Sequence, residues 1–506
     1  MKSAEAEGVE APKPGGPGSA AAEPREQVVS LYIKQKKIHP RAVSGWFAAW
    51  RWVLVWATQL LFYGLPWLQW NSRQSVLFDL GARRFYIFEL VLYPQDFIYL
   101  TGLLIVSALS LFLFTAVAGR LWCGYACPQT VYTEIFLWIE HHCEGDRMAR
   151  MRLDAAPWSL EKVARKGAKQ VAWLAIGLWT GFTFVGYFTP IRELAASVLS
   201  FGLGPWETFW VLFYGFATYG NAGYMREQVC KYMCPYARFQ SAMFDRDTLI
   251  IGYDESRGEP RGRNRERGRG SEPKPAHLGD CIDCGLCVQV CPTGIDIRKG
   301  LQYECIGCAA CIDVCNGVMD KMQYPRGLIR YDTQNGLALH LGRKQELKRV
   351  LRPRVLVYTA ILWSIGLALA LALALRSSFK VDVVRDRGTL ARIVGEGEVE
   401  NIYRLQIMNA TEETQRYRIG VRGNGGGLAE PRLVPMPAVA VGPAEARWVP
   451  VAVRVPPQAA QAAGAGSHRI EFVIERIGPA AAQGNDAAAP ALGRPLVERS
   501  TFIVPR

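Results

Sequence analysis

The sequence predicts a polytopic α-helical membrane protein that carries a cysteine-rich insert and ends in a β-sandwich. Five stretches of about 20 mostly apolar residues are each long enough to cross a bilayer as a helix. Eight of the 13 cysteines stand between Cys281 and Cys315, before the last of these stretches. After it, short alternating segments separated by Gly and Pro indicate the strands of a small sandwich.

Length and charge narrow the function classes. The chain has 506 residues, too many for one ordinary domain, and a formal net charge of +14. Its basic residues stand in separate blocks beside apolar segments, which indicates membrane flanks and argues against a nucleic-acid-binding face. Residues 1–30 are rich in Ala, Gly, Pro and Glu, so we expect a disordered cytoplasmic tail and no signal peptide.

The apolar stretches and the charges between them define a topology. A four-helix membrane region is predicted over residues 31–240, and the five spans are residues 49–70, 95–119, 171–189, 204–222 and 355–375. Lys and Arg crowd the segment before the first span and the loop between spans two and three, whereas the loops after spans one and three hold few. The positive-inside rule therefore places the N-terminus and the insert of residues 241–354 in the cytoplasm and the C-terminus outside.

The insert contains two four-cysteine motifs. The first has the spacing C-x2-C-x2-C-x3-C-P, and the second repeats it with Asn316 in place of the final Pro. This spacing is typical of ferredoxin-like domains with two 4Fe–4S clusters, in which the fourth cysteine of each run ligates the other cluster. Two zinc sites are the alternative, disfavoured because zinc takes two separated pairs. The predicted ligands are Cys281, Cys284, Cys287 and Cys315 for the first cluster and Cys291, Cys305, Cys308 and Cys311 for the second.

Two C-x3-C-P motifs lie at the membrane edge, the second 107 residues after the first, which indicates an internal duplication. If the helix continues, the i, i+4 spacing puts both thiols of a motif on one helix face. If the following Pro unwinds the helix there, a transient disulfide becomes possible. A thiolate site for a soft ion such as Cu(I), a redox dithiol and simple apolar packing all remain open. The four cysteines are Cys123, Cys127, Cys230 and Cys234, with Met225, Met233, His141, His142 and Cys143 as further possible ligands.

The remaining segments carry weaker signals. The Arg-rich run of residues 257–269 has no interleaved aromatics and is predicted to be a solvated linker. Strands are expected near residues 403–408, 447–455, 469–474 and 501–504, with an Ala-rich loop at 480–491, in an external domain over residues 376–506. No catalytic constellation is visible there, so docking is its expected role.

Over nearly all of its length the chain resembles the FixG/RdxA/CcoG family of cytochrome c oxidase accessory proteins. The family's C-terminal immunoglobulin-like domain corresponds to the predicted sandwich. The tail, the linker and the outer domain match more loosely. The similar stretches are residues 37–41, 77–80, 83–88, 94–97, 122–130, 258–262, 279–296 and 300–313.

The resemblance implies an assembly role for a cbb-type oxidase in the bacterial inner membrane, with the C-terminus in the periplasm. It implies a Cu(II) reductase in which two 4Fe–4S clusters supply electrons and Cys123, Cys127, Cys230 and Cys234 are the copper or redox thiols. Expected partners are membrane lipid, oxidase assembly or copper-delivery proteins and an electron donor that the resemblance does not name, with a homodimer as one candidate assembly. The alternatives are a quinol-linked electron conduit to another periplasmic reductase and a non-redox assembly scaffold.

Overall fold

A computed structural model of the chain describes residues 37–71, 73–262, 278–386, 388, 390–423, 428–434, 438–479 and 491–505. The predicted disordered tail, residues 263–269 of the Arg-rich run and residues 480–490 of the Ala-rich loop lie outside the described residues. Residues His39–Arg506 form one compact unit.

Long helices occupy all five apolar stretches that the sequence predicts as spans. Two helical segments, Pro94–Ala118 and Pro353–Ala374, are long and apolar enough to cross a membrane by length and composition. Five spans therefore stay a prediction. The helices up to residue 243 are α1 (Trp46–Gly64), α2 (Phe97–Ala118), α3 (Leu121–Tyr125), α4 (Pro128–Glu144), α5 (Arg147–Ala155), α6 (Leu160–Val185), α7 (Ile191–Leu199), α8 (Pro205–Gly220), α9 (Arg226–Gln228) and α10 (Pro235–Met243).

The first predicted span is too long at its C-terminal end. Helix α1 ends at Gly64, and a 3-10 turn at Leu65–Trp67 with Pro66 inside it breaks the helix before residue 70. The region also holds four further helices of nine residues or more that the apolar stretches did not predict, α4, α5, α7 and α10. Helix α4 contains charged residues, so its sequence is not an apolar run, although Glu140 and Glu144 are each only 1% exposed.

Small sheets connect α1 to α2. Strands β1 (Gln69–Trp70) and β2 (Arg73–Gln74) pair with each other, and β3 (Val76–Asp79), β4 (Arg84–Ile87) and β5 (Leu90–Leu92) form an antiparallel meander. The buried amide side chain of Gln74 ties this connection to the end of α6, because its Nε2 donates to the Gly186 carbonyl at 2.7 Å.

The cysteine-rich insert is built around a two-stranded sheet. Strand β6 (Ile250–Tyr253) pairs antiparallel with β7 (Ile329–Asp332), and Ile251, Tyr253 and Ile329 face the buried helix residues Ile312 and Met319. Its helices are α11 (Glu255–Gly258), α12 (Leu286–Gln289), α13 (Ala310–Met322), α14 (Gln334–Leu339) and α15 (Arg343–Val350).

The C-terminal domain is the predicted β-sandwich and follows helix α16 (Pro353–Ala374). A five-stranded sheet in the order β12-β14-β10-β8, with β9 on β10, faces a four-stranded sheet in the order β13-β11-β15-β16. All four predicted strand segments are confirmed, and Tyr403, Tyr417 and Phe472 are fully buried between the sheets. The elements are β8 (Phe379–Arg385), β9 (Arg392–Val394), β10 (Glu398–Asn409), β11 (Gln415–Gly423), β12 (Arg432–Leu433), β13 (Val439–Val441), β14 (Ala446–Val455), α17 (Pro457–Ala463), β15 (Gly466–Pro479) and β16 (Leu496–Val504).

Helices α2 and α16 run antiparallel and connect two opposite ends of the molecule. Each has 22 residues, which corresponds to about 33 Å of helix. At one end Asp96 pairs with Arg376 at 2.7 Å, which joins the β3–β5 meander to the sandwich. At the other end Arg352 pairs with Asp245 at 3.0 Å, beside the cysteine-rich insert.

The charge pattern assigned the N-terminal side and the insert to one side of the membrane, and the loop after the first span and the C-terminal domain to the other. The structure places these two sets of segments at opposite ends of the molecule. The backbone amides at the start of α1 donate to Asp313 of the insert, from Ala48 at 2.8 Å. At the far end, Tyr93 donates its hydroxyl to the carbonyl of Asn409 in the sandwich at 2.8 Å. The N-terminal side therefore shares an end with the insert, and the loop after α1 shares an end with the C-terminal domain, whereas the compartment that each end faces stays a prediction.

Candidate functional site

The two four-cysteine motifs fold in the same way. In the first, Gly285 takes a left-handed conformation (φ 66°) and helix α12 begins at the next residue. In the second, Ala309 takes the same conformation (φ 60°) and begins α13. Each motif therefore places its first two cysteines on a loop and the third on the helix that follows. The fourth lies on α13 in the second motif and just beyond the end of α12 in the first. In the second motif the amide of Ala310, at the start of α13, donates a hydrogen bond to the loop thiol of Cys308.

The structure brings the cysteines together in the crossed sets that the spacing predicts. One cavity is lined by Cys281, Cys284, Cys287 and Cys315, and a second by Cys291, Cys305, Cys308 and Cys311 with an edge of Cys287. Apolar side chains close both cavities, Leu286 and Met319 at the first and Ile251 and Ile306 at the second.

These cavities fit 4Fe–4S clusters. Each offers four soft thiol donors in an apolar shell, the ligand type that iron–sulfur clusters use. Within the described chain no three His, Cys, Asp or Glu side chains converge closely enough to hold a single ion. A cluster is wider than one ion, so this spacing suits it better than zinc. When bound, such clusters store and pass on single electrons.

Burial disfavours the thiolate form of these cysteines, so a positively charged metal group is needed to stabilise it. Burial raises the pKa of Cys287 to about 11, and it raises those of Cys305 and Cys315 to about 12, with neighbouring thiols adding to the shift. Without metal these three thiols are therefore neutral at pH 7. Binding of a cluster must release their protons, which couples cluster affinity to pH.

The two C-x3-C-P motifs have one shared geometry that differs from a continuous helix face. Cys127 and Cys234 each take an extended conformation as the N-cap residue of α4 and α10, with Pro at the first helical position. Each amide donates to the carbonyl five residues earlier, Cys127 to Trp122 at 3.0 Å and Cys234 to Val229 at 2.8 Å. The expectation that both thiols share one helix face is therefore wrong, and the unwound alternative describes the structure.

The repeat extends to the helix ends that precede the motifs. Gly119 (φ 57°, ψ −121°) follows α2, and Arg226 (φ 26°, ψ −103°), 107 residues later, follows the π-helical turn Asn221–Met225 beyond α8. Both residues take nearly the same left-handed conformation, which only glycine adopts without strain. The duplication that the sequence indicates therefore holds at the level of backbone conformation.

The four motif thiols form one half-buried group, called the thiol quartet here. Cys230 interacts electrostatically with Cys127, Cys123 and Cys234, and burial with these neighbours raises its pKa to about 12. Burial raises the pKa of Cys123 to about 11, against a hydrogen bond with Gln240. All 13 cysteines are free thiols in the structure.

The thiol quartet packs directly on the loop of the second cluster site. Cys123 and Cys230 lie against a buried group that contains Ile306 and Cys308. The backbone of the first C-x3-C-P motif touches the backbone of this loop. A Cβ added to Gly124 would stand 2.7 Å from the carbonyl oxygen of Gly307 and 2.9 Å from the Cα of Cys308. A one-electron carrier in the second site would thus adjoin the quartet.

Several polar residues that the sequence analysis did not single out fix this contact. Arg120 donates to the carbonyls of Tyr303 and Ala237, so it joins both motifs to the cluster loop. Gln240, fully buried on α10, lies 3.4 Å from the sulfur of Cys123, and Tyr331 donates to the Gly307 carbonyl at 2.5 Å. Only Arg120 carried a sequence signal, as a cation directly before the first motif.

The other proposed ligands lie elsewhere. Cys143 packs beside Phe136 and Trp173, and His141 lines a separate cavity near α1. Met225 and Met233 are exposed side chains.

Comparison with known proteins agrees with this architecture. Residues 225–334 match a 4Fe–4S dicluster domain, residues 100–142 match a 4Fe–4S binding domain, and residues 369–505 match the domain described as "IG-like fold at C-terminal of FixG". Nitrogen fixation protein FixG of Rhizobium meliloti is 38% identical over 424 residues, covering 78% of this chain and 80% of that protein. Protein RdxB of Cereibacter sphaeroides is 42% identical over 406 residues, covering 79% of this chain and 84% of that protein.

A crystal structure of a FixG-related protein from Vibrio parahaemolyticus matches 25% of this chain and 97% of that chain, with 23% identity and a TM-score of 0.19.

The dicluster insert and the immunoglobulin-like domain define an iron–sulfur electron-transfer protein. The identity and coverage of the relatives place it more narrowly. The chain belongs to the FixG/RdxA family.

Proposed function

We propose that this protein is a membrane-bound cupric reductase that supplies Cu(I) for the assembly of a cbb-type cytochrome c oxidase. The observation that carries the proposal is the contact between Gly124 and the Gly307–Cys308 backbone, which joins the thiol quartet to the second cluster site. Cys281, Cys284, Cys287 and Cys315 would hold the first cluster, and Cys291, Cys305, Cys308 and Cys311 the second.

The copper step is a one-electron transfer. A cluster held by the insert cysteines would supply one electron to the substrate Cu(II), which would thereby become Cu(I). Thiolates prefer the cuprous ion. Since no three of the described His, Cys, Asp or Glu side chains converge closely enough to hold one ion, two of the quartet thiols would retain the product, drawn from Cys123, Cys127, Cys230 and Cys234. Burial raises the pKa of Cys127 above its ordinary value, and the backbone amides of Gln129 and Thr130 at the start of α4 offset part of this rise.

The setting of this reaction is proposed to be the bacterial inner membrane, crossed five times. Two features support this topology. The insert shares one end of the molecule with the Lys- and Arg-rich N-terminal side, and the sandwich lies at the other end. The quartet and both clusters would then face the cytoplasm, and the immunoglobulin-like domain would be free to contact oxidase assembly or copper-delivery proteins in the periplasm.

Copper reduction by the purified protein tests the proposal. The protein is reduced anaerobically with dithionite, freed of excess reductant and mixed with Cu(II), and Cu(I) is measured with a colorimetric chelator. Cys127→Ser and Cys234→Ser should lower the rate while iron and sulfide contents stay at the wild-type values. Cys143→Ser is the matched control, because Cys143 is a free thiol outside the quartet.

Two results would count against the proposal. Wild-type rates in both quartet variants would remove the thiols from the copper reaction. A protein that retains its clusters, reduces no Cu(II) and still supports oxidase assembly in cells would be a non-redox scaffold.

A further inference from the structure

A cavity with both apolar and charged lining residues lies at the end of the molecule that carries the insert, beside the second cluster site. Its volume is about 210 Å³. It is bounded by the N-terminal half of α1, by the segment before that helix, by α4 and by the loop of the second cluster site. Pockets that enclose a whole drug-sized ligand usually exceed about 300 Å³. This cavity would hold one ring system and leave a longer tail outside.

The charges around this cavity are largely compensated. Arg51 is 6% exposed and lies 3.6 Å from Glu134, and Arg150 pairs with Glu140 at 2.8 Å. Arg41 lies 4.0 Å from Asp146. A polyanionic ligand such as a phosphate headgroup would therefore compete with carboxylates that already occupy the cations. A neutral ligand with hydrogen-bonding oxygens fits better.

Arg51 offers such a ligand a donor. Its Nε is buried and has no hydrogen-bond partner among the residues that the structure describes. The Glu134 carboxylate on the same wall and the exposed imidazole of His141 at the mouth can accept protons. A buried donor beside acceptors suits a ligand that alternates between hydroxyl and carbonyl oxygens.

Two aromatic side chains connect the cavity to the membrane edge. Trp52 and Trp138 both line it, with ring centroids 6.4 Å apart. Tryptophan is the residue type that marks the membrane–water interface. A ligand that enters between these rings would come from the bilayer.

The opposite wall belongs to the second cluster site. Val290 and Pro292 flank Cys291 on either side, and Ala310 precedes Cys311. Arg51 also interacts electrostatically with Cys308, so its positive charge favours the reduced, more negative cluster. A redox-active ring in this cavity would stand one residue from two cluster ligands.

We propose that this cavity binds a membrane quinol, which is the electron donor of the protein. The inference rests on the proposed function, since it supplies the electrons that the copper step consumes. One quinol is oxidised to a quinone and releases two electrons and two protons. A cluster held by Cys291, Cys305, Cys308 and Cys311 would accept the electrons one at a time, and two Cu(II) would be reduced to two Cu(I). Glu134 and His141 take up the protons and pass them to the solvent.

The test compares two reductants on the full-length protein with its clusters. A short-chain ubiquinol analogue or dithionite is added anaerobically, and cluster reduction is followed by visible absorbance and EPR. Ala42→Trp fills the cavity mouth from a position whose side chain is exposed. Ala155→Trp adds the same bulk to an exposed position at the end of α5, outside the cavity lining.

Ala42→Trp should slow cluster reduction by the quinol about tenfold or more, the effect of about 1.4 kcal/mol in binding. It should leave dithionite reduction unchanged, and Ala155→Trp should change neither. Glu134→Gln should slow quinol oxidation without slowing dithionite reduction. An azido-substituted quinone should label the Trp52 and Trp138 peptides in the wild type and not in Ala42→Trp.

Three results would overturn the inference. Quinol could reduce the clusters of Ala42→Trp at the wild-type rate, or the azido-quinone could label another region. Alternatively, a phospholipid could co-purify with the wild type and be lost in Ala42→Trp while quinol reduces neither protein. Failure of the proposed function gives a different result. In that case quinol reduces the clusters and Ala42→Trp blocks this, but the reduced wild type leaves Cu(II) unreduced.

Discussion

Replacing Gly124 with Ala tests the contact on which the proposed electron path depends. The new Cβ would stand 2.7 and 2.8 Å from the carbonyl oxygen and carbon of Gly307 and 2.9 Å from the Cα of Cys308. All three atoms belong to the backbone and cannot rotate away. The two segments must therefore separate by about 0.5 to 0.7 Å to reach ordinary contact, and such overpacking costs about 1 to 3 kcal/mol.

A second effect opposes this cost. Gly124 lies in α3, and Ala is favoured over Gly in a helix by about 0.5 to 1 kcal/mol. The overpacking is larger, so we expect a net loss of about 1 kcal/mol, within a range of about 0 to 2.5 kcal/mol, in the free energy of unfolding. Gly167→Ala is the matched control, because Gly167 lies in α6 with nothing within 4 Å of the added Cβ, so only the helix preference acts.

The assay separates the contact from the clusters. Wild type and both variants are reduced with dithionite, and reoxidation of the clusters by Cu(II) is followed by stopped-flow absorbance, with iron content measured in parallel. Gly124→Ala should keep its iron and reoxidise more slowly, and Gly167→Ala should match the wild type. Unchanged reoxidation in a destabilised Gly124→Ala protein would refute the reasoning, since the electrons would then reach copper by another route.

Three further predictions concern the ligands and the buried charges. Cys315→Ser should alter the EPR signal of the first cluster and spare the second; perturbation of the second would exclude the crossed assignment. Glu140→Ala should destabilise the protein by about 3 to 5 kcal/mol in denaturant unfolding, because it leaves buried cations unpaired, whereas the exposed Glu161→Ala should cost about 0.5 kcal/mol or less. Burial alone would raise the pKa of the Glu400 carboxyl. The hydrogen bonds from Arg454 and a second arginine together lower it by more, so the native pKa lies below its ordinary value. Its stabilisation should be full above about pH 4.3 and fade as the pH falls through the native pKa, so Glu400→Gln should be less stable than wild type at pH 7 and equal to it in acid.

Segments with a strong period or a fixed spacing were predictable from the sequence. The strand at residues 403–408 alternates, and Tyr403, Leu405 and Ile407 are all fully buried in β10. The five apolar stretches became long helices, although Pro66 ended the first one early. The cysteine spacing also predicted which thiols line each cavity. Three of each set come from one short run, so their geometry is local, and the fourth comes from the other run, as this motif type predicts.

Contacts between distant segments were not predictable in this way. Nothing in the spacing of Cys123 and Cys127 indicates that Gly124 touches Gly307, since that contact depends on how α3 meets the insert. Helix α4 escaped notice because its carboxylates are buried through pairing, as in the 2.8 Å ion pair of Glu140 with Arg150. The i, i+4 geometry failed for a local reason, because Pro128 forces Cys127 out of the helical conformation.

The buried ion pairs of Glu140 link the two repeats that form the thiol quartet. Arg226 begins the second motif with a φ of 26°, a conformation that costs about 1 to 3 kcal/mol for a residue with a side chain. Its guanidinium donates to Glu140 at 3.1 Å, and Glu140 lies on α4, the helix that starts at Cys127 of the first motif. In the first repeat the equivalent position is Gly119, which takes this conformation without strain. The second repeat thus retains a strained arginine where glycine would be easier. This arginine pairs the second repeat with the helix of the first, beside the hydrogen bonds that Gln129 of α4 donates to the Asn221 and Arg226 carbonyls.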